Sequence, residues 1–360
     1  MPLERIHMTG LRNLQQVDFS PSPRVNLIVG PNGSGKTSIL EGLHLLGLGR
    51  SFRARQFKPI IHFDSNGLTV FGRLSGHPPS SIGVQRRRDS DTLLMRKDGQ
   101  TIDRISQLAE LLPLQLIDSQ TFELIDGSPK ARREYLDWGV FHVEPAFYDC
   151  WKRMRRALKH RNVLLRYGTI DRISMRAWNQ ELAREATRLD QFRSDYVERL
   201  APIFNELLGQ LATLPDISLG YYRGWDRKRP LDEILEASIN SDQQMGFTQQ
   251  GPQRADLRIR IGKRPATEVL SRGQQKVVVS ALKLAQGQLL EEMTQRHCLY
   301  LIDDLAAELD AGHQQRFFEL LEKQQGQSFI TVIDKSGISP FLQEDHGVFE
   351  LTAGRIATVE

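Results

Sequence analysis

Eight consecutive residues, Gly30-Pro31-Asn32-Gly33-Ser34-Gly35-Lys36-Thr37, constrain this chain more than any other feature. They follow Val25-Asn26-Leu27-Ile28-Val29, a short apolar run that reads as a buried strand, and precede a helical pattern over about 37–48. Strand, glycine-rich turn and helix in that order fit the phosphate-binding loop G-x-x-x-x-G-K-[ST]. The glycines let backbone N–H groups turn inward around phosphate oxygens, and the helix N-terminus adds partial positive charge. All eight residues are candidate ATP contacts. Lys36 is placed to reach the β- and γ-phosphates, and the Thr37 hydroxyl to ligate Mg²⁺.

Two further motifs follow. Leu299-Tyr300-Leu301-Ile302-Asp303-Asp304 is an apolar strand ending in acids, which puts carboxylates at the carboxyl edge of a sheet. There Asp303 is expected to hold Mg²⁺ through water, and Asp304 to orient or deprotonate the attacking water. Leu270-Ser271-Arg272-Gly273-Gln274-Gln275-Lys276 precedes a helix and lies about 30 residues before the acid strand. The plain reading of Ser271 is a helix cap. The segment also resembles the Leu-Ser-Gly-Gly-Gln signature of ABC-type ATPases, with Arg272 in place of the first glycine. That resemblance implies that Ser271, Gly273 and Gln274 contact ATP bound to another subunit. It makes Glu308-Leu309-Asp310 the D-loop, with Asp310 at a dimer contact. After the strand Phe329–Ile333, Asp334 and Lys335 stand where these ATPases carry a switch histidine, which implies slow turnover.

Residues 3–8 and 17–19 alternate as strands do, and residues 60–103 hold short alternating runs with turn signals such as Lys97-Asp98-Gly99-Gln100. Over about 129–211 helical periodicity takes over, with two or three long helices spanning 151–167 and 173–211 expected to form an antiparallel arm. Alternation over 255–261 reads as a return to a sheet. A helix (272–295), a strand (298–302), a helix (312–324) and a strand (328–333) are predicted after it. The expected architecture is α/β. An ABC-type P-loop ATPase head, a mixed sheet with helices, is built from residues 1–120 plus 240–360, with a mainly helical arm, 121–239, inserted.

At 360 residues the chain has room for two or three domain-sized units. Apolar residues are 39% and charged residues 26%, too ordinary for a disordered, collagen-like or disulfide-dense chain. Cys150 and Cys298 are the only cysteines, which fits a reducing compartment. Neither they nor His142 have metal-ligand spacing, so no zinc site is expected. An apolar signal core and membrane-length apolar runs are lacking, so the expected location is cytoplasmic, with no membrane partner. Net charge is +4, unevenly spread. Residues 1–120 carry +5 (15 basic, 10 acidic), 121–240 carry +2 (20 and 18), and 241–360 carry −3 (13 and 16).

Well over 100 residues separate the two nucleotide motifs, which resembles the DNA-repair branch of the ABC superfamily alongside the SMC proteins, with a short arm instead of a sustained coiled coil. Within it, the segment Phe122-Glu123-Leu124-Ile125-Asp126-Gly127-Ser128-Pro129-Lys130-Ala131-Arg132-Arg133-Glu134-Tyr135-Leu136-Asp137-Trp138 is similar to a signature of the bacterial RecF family. So are 301–320 (with Asp303, Ala307, Glu308-Leu309-Asp310 and His313), Arg50-Ser51-Phe52-Arg53 and Leu11-Arg12-Asn13. The resemblance covers essentially the whole chain. It implies an ATP-dependent homodimer that binds double- and single-stranded DNA near gap boundaries, and a weak, DNA-stimulated ATPase whose hydrolysis serves release. It further implies a role in recombinational repair and replication-fork maintenance, with RecO and RecR promoting RecA loading and SOS induction.

Candidate DNA contacts come from charge. Arg50, Arg53 and Arg55 follow the phosphate-loop helix and are read as DNA-facing. Lys152, Arg153, Arg155, Arg156, Lys159, Arg161 and Arg166 crowd one predicted helix, where Lys152, Arg155, Arg156 and Lys159 share a face. Phosphate contact and a solvated arm weigh about equally for them. Arg86-Arg87-Arg88 reads as a solvated hairpin edge, and Trp138, Phe141, Phe147 and Trp151 as packing at the base of the arm. Two other functions stay open: a transporter or cofactor-assembly ATPase, and a non-enzymatic scaffold that binds ATP structurally.

Overall fold

The computed structural model describes residues 2–90, 92–166, 171–304, 309–334 and 346–359. Tyr167, Ala307, Glu308 and Lys335, named above, lie outside the described residues. The chain forms two units, Met1–Thr121 with Gln210–Ala212 and Lys276–Glu360, and Phe122–Gly209 with Thr213–Gln275.

The first unit opens with β1 (Leu3–Leu11), β2 (Leu14–Phe19), β3 (Val25–Val29), α1 (Lys36–Leu48), β4 (Gly67–Leu74), β5 (Ser80–Arg87), β6 (Leu93–Lys97), β7 (Gln100–Ile102), α2 (Ile105–Leu111) and β8 (Leu114–Ile117). The chain then makes α3 (Glu123–Asp126), α4 (Pro129–Val143), α5 (Phe147–Arg166), α6 (Arg172–Leu211), β9 (Ile217–Tyr222), α7 (Leu231–Ala237), α8 (Ile239–Met245), β10 (Asp256–Ile261), β11 (Arg264–Pro265) and α9 (Arg272–Thr294). It closes with β12 (Leu299–Ile302), α10 (Ala311–Lys323), β13 (Gln327–Val332), β14 (His346–Thr352) and β15 (Arg355–Val359).

Among the described residues the first unit holds two six-stranded sheets. One is antiparallel, in the order β2-β1-β4-β5-β6-β7. The other runs β15-β14-β3-β13-β12-β8, parallel except for β15. Helices or sheet cover both faces of its central strands; every residue of β3, β12 and β13 is buried, including the polar Asn26, Gln327, Ser328 and Thr331. Helix α1 is buried from Ser38 to Gly47. Its Leu40, Leu43 and Leu46 share one core cluster with Ile6, Met8, Val70 and Ile82 of the antiparallel sheet and with Leu301 and Phe329 of the parallel one. Each such leucine contributes about 1.5–3 kcal/mol by leaving water. The helix that follows the glycine-rich loop is therefore fixed by packing along most of its length.

The second unit contains α3 to α5, most of α6, and a three-stranded antiparallel sheet ordered β11-β10-β9. Here the structure differs from the sequence expectation. The strand over 255–261 exists, but it does not return the chain to the head at residue 240. It pairs with β9 in full register, from Asp256↔Tyr222 to Ile261↔Ile217, and the first unit resumes only at Lys276. Alternation reveals one buried face of a strand; it carries no information about the partner. The Arg132 guanidinium of α4 pairs with Asp256 of β10 at 2.7 Å within the same unit.

The long helices match their periodicity, with one change to the basic helix. Lys152, Arg153, Arg155, Arg156 and Lys159 are exposed, whereas Arg161 is buried. Arg161 pairs with Asp242 at 2.7 Å and donates to Asn179 Oδ1, Thr248 Oγ1 and the Leu235 carbonyl. It is an interior tie and not a DNA contact. Phe147 is buried, and Trp138, Phe141 and Trp151 make ring contacts with His142 and Tyr148.

Candidate functional site

The loop of residues 30–37 sits at the carboxyl end of β3, between β13 and β14. Gly35 ends it at φ 111°, a left-handed conformation that glycine adopts without strain, and a Cβ there would strike the Asn13 side chain at 2.9 Å. Gly35 brings no side chain to cap α1, so the first-turn N–H groups face an outside acceptor. Asn13 braces the loop, donating from Nδ2 to the Gly33 carbonyl at 3.1 Å and accepting from Ser38 Oγ at 3.1 Å. Lys36 Nζ donates to the Gly30 and Pro31 carbonyls at 2.6 and 3.0 Å. Burial pushes its pKa down, while Asp304 and Asp303 pull it back up. Ser34 Oγ is buried with no hydrogen-bond partner among the described residues.

Asp303 and Asp304 follow β12, two strands from β3 across β13. Asp303 Oδ1 accepts from Thr37 Oγ1 at 3.1 Å and from Thr331 Oγ1, on β13, at 2.7 Å. Thr331 Oγ1 also accepts from the Asp304 backbone N–H at 3.0 Å, holding Asp304 at φ 52°. Burial pushes the Asp303 carboxyl above its ordinary range, against the two hydroxyls that favour its charged form. The sequence therefore brings together residues 36, 37, 303 and 304. They line a cavity of about 1030 Å³ with Asn13, Arg53 and Thr331. Hard oxygens from Thr37 and Asp303 at one point suit a small divalent cation such as Mg²⁺. The open N–H groups, Lys36 and the unpartnered Ser34 hydroxyl suit phosphate oxygens.

The other candidates are placed differently. Arg53 lines this cavity and draws the Asp303 pKa down, while Arg50 and Arg55 are exposed outside it. Ser271, Gly273 and Gln274 belong to the second unit. There Ser271 Oγ accepts from the Gln274 N–H at 3.3 Å, and the Ser271 N–H donates to Gln274 Oε1 at 2.9 Å, a reciprocal capping box. Arg272 pairs with Asp126. Asp310 caps α10, accepting from the His313 N–H at 3.0 Å; that bond holds its carboxyl below the usual range. Of the Arg86–Arg88 run, Arg86 lies over the Phe57 ring and Arg88 donates to the His62 carbonyl, so structure absorbs both.

Sequence reasoning gave no role to Arg12, Asn13, Glu41, Phe63 or Thr331. Arg12 lines the cavity and is held by the buried Glu41 through two bonds of 2.8 Å. Phe63, 80% exposed, stacks on His62 at 4.6 Å in the same cavity. The available signals were a hydroxyl in an otherwise apolar strand (Thr331) and an acid in an apolar helix (Glu41).

Residues 2–355 match the RecF/RecN/SMC N terminal domain. The chain is 54% identical over 360 residues to a DNA replication and repair protein RecF of Chromohalobacter salexigens, covering 99% of this chain and 100% of that one. It is similar to a solved structure of the recombination mediator protein RecF-ATP in the RecFOR pathway, with TM-score 0.87, 25% identity, and 100% and 98% of the two chains covered. A crystal structure of an Smc head bound to the C-winged helix domain of ScpA shares the fold at TM-score 0.63 and 14% identity, with 100% and 97% covered. No helix among the described residues is long and apolar enough to cross a membrane.

Proposed function

The chain belongs to the RecF family of the wider RecF/RecN/SMC group, and on that premise we propose that it is an ATP-binding protein of DNA repair and recombination in which ATP joins two copies around DNA. One observation carries the nucleotide part. Two motifs separated by most of the sequence meet on a single carboxylate oxygen, Asp303 Oδ1, 3.1 Å from Thr37 Oγ1. The first unit is then the ATPase head and the second the arm.

In this reading the loop N–H groups and Lys36 hold the phosphates, Lys36 swinging from the Gly30 and Pro31 carbonyls to do so. Thr37 and Asp303 hold Mg²⁺, which when bound neutralises charge on the terminal phosphates. Asp304, fixed by Thr331, orients the attacking water. The exposed face of Phe63 is the surface against which the base lies. Ser271, Gly273 and Gln274 reach the γ-phosphate of ATP held by a second copy, and Asp310 lies at the contact between copies. Hydrolysis is slow, DNA-stimulated and serves release. The protein acts near gap boundaries in double- and single-stranded DNA, and with RecO and RecR it promotes RecA loading and the SOS response.

Sedimentation velocity with Mg-ATP, with and without gapped duplex DNA, tests this reading. The wild type is expected to shift from monomer to dimer with ATP and to stay dimeric on DNA, and Lys36→Arg to remain monomeric. Dimerisation of Lys36→Arg by ATP, or a wild type that ignores both ligands, overturns it. An ATP-driven dimer with no turnover leaves the scaffold as the surviving function.

A further inference from the structure

Strand interiors are poor places for glycine, which has no side chain to pack and loses the most freedom on ordering. A glycine kept there marks a bulge, a bend or the close approach of another group. Gly83, in the middle of β5, has no internal reason of this kind. Its ladder runs in unbroken register to both neighbours, Gly83↔Phe71 with β4 and Gly83↔Arg96 with β6, so there is no bulge. Its backbone is outside the left-handed region, and a Cβ would meet only the Val70 carbonyl, at an ordinary 3.9 Å. Gly72 differs. A Cβ there would strike Leu46 and Leu3 at 2.6 and 2.7 Å on the buried face of the sheet. Gly72 pairs with Ile82, so Gly83, next in line, faces the other way.

On that outer face Gly83 forms part of the floor of a slot of about 300 Å³ between Phe71 and Leu94, both half-buried. Arg96 lines it and is exposed, with no ion pair among the described residues. Arg73, opposite Ser81, and Arg5, opposite Arg73, continue the basic row. The acids are engaged: Asp18 pairs with Arg5 at 2.9 Å, Glu4 lies 3.9 Å from Arg73, and Asp98 accepts from the Ser81 N–H at 2.6 Å. Asp18 and Glu4 occupy Arg5 and Arg73, so the face presents an apolar slot with the guanidinium of Arg96 at its rim. We infer that it docks an acidic segment of a partner protein, which sets one apolar side chain over Gly83 while a carboxylate beside it faces Arg96. Nucleic-acid phosphates would match Arg96 but leave the slot between Phe71 and Leu94 unfilled.

The test uses the full-length chain and fluorescein-labelled seven-residue peptides of Asp and Glu with Ala, Val, Leu, Phe or Trp at the centre, read by fluorescence polarisation. A large apolar centre is expected to bind at least tenfold tighter than Ala. Gly83→Val raises the floor of the slot and is expected to lose that binding at least tenfold, with a melting temperature at or above wild type because valine suits a strand. Arg96→Glu is expected to lose it as well, with the melting temperature unchanged. Binding that ignores the central residue, or that survives both substitutions, overturns the inference. So does a result in which a gapped DNA duplex, and no peptide, loses affinity in the two variants; the surface then belongs to nucleic acid.

Discussion

One carboxylate oxygen, Asp303 Oδ1, receives two hydroxyls, and the stronger bond comes from Thr331 at 2.7 Å. Thr331 touches neither phosphate loop nor cation directly, yet it fixes the position of Asp303 and, through the Asp304 N–H, that of its neighbour. Removing a hydrogen bond to a charged group costs about 1.5–3 kcal/mol. Thr331→Val should therefore lower kcat for ATP roughly 10- to 100-fold, and Thr331→Ser should restore most of it, as read by steady-state phosphate release. Equal loss in Val and Ser would mean that strand packing, not the hydroxyl, matters. Lys36 and Thr37 were legible from the sequence because a phosphate loop needs all its parts in one short stretch, and Asp303 because it ends an apolar strand. Thr331 was not legible, and Asn13 stood out only within Leu11-Arg12-Asn13, with no role attached. Each acts from a different strand or turn, and the pattern of an apolar strand reports only that it is buried.

Among the elements, α1 is anchored at both ends by buried polar groups. His44 is buried, its Nδ1 2.6 Å from the Arg50 carbonyl and its ring edge-on to Phe52 at 5.3 Å. Burial pushes its pKa down to about 4, from an ordinary 6.5. Between those values the unfolded chain binds more protons than the folded one. Stability is thus full above about pH 6.5 and falls as pH drops toward 4, by roughly 3 kcal/mol. Urea midpoints at pH 7 and 4.5 should show the fall, and His44→Gln should flatten it; an unchanged slope would move the proton uptake elsewhere. In the second unit, Arg161→Met strands Asp242 without its partner and should cost about 3–5 kcal/mol in thermal unfolding. The exposed pair Lys152→Ala and Arg156→Ala should each stay within about 0.5 kcal/mol of wild type. Helix periodicity sets Arg161 on the face of Cys150, Met154, Ala157 and Leu165, away from Lys152 and Arg156, but it could not supply the partner, Asp242, that lets a guanidinium lie buried there. Strand β10 shows the same limit: its alternation was readable, but not its partner β9, which the sequence reading did not pick out.

For the molecule as a whole, basic charge sorts by place. Arg53 lines the cavity of Lys36, Thr37 and Asp303 while Arg50 and Arg55 do not. Arg50→Ala with Arg55→Ala should lower the salt slope of DNA binding by about 2 and leave ATP affinity unchanged. Arg53→Ala should do the reverse, and titrations against DNA at several salt concentrations and against ATP separate the two. Equal salt slopes for the double variant and wild type would take both residues off the DNA. The parallel sheet has a consequence in time as well. Strand β3 has β13 and β14 as its neighbours, the Gly30 N–H donates to the Val332 carbonyl, and the Gly354 N–H donates to the Ser34 carbonyl. Apart from Asn13, which is made before it, the backbone partners that seat the loop of residues 30–37 thus come from the last stretch of chain to leave the ribosome. At roughly 5–20 residues per second, that loop waits on the order of 15–60 s for its supports, while the second unit has emerged complete. A nascent chain would carry the whole phosphate-binding sequence braced by Asn13 but without its flanking strands, so the motif that is made first is finished last.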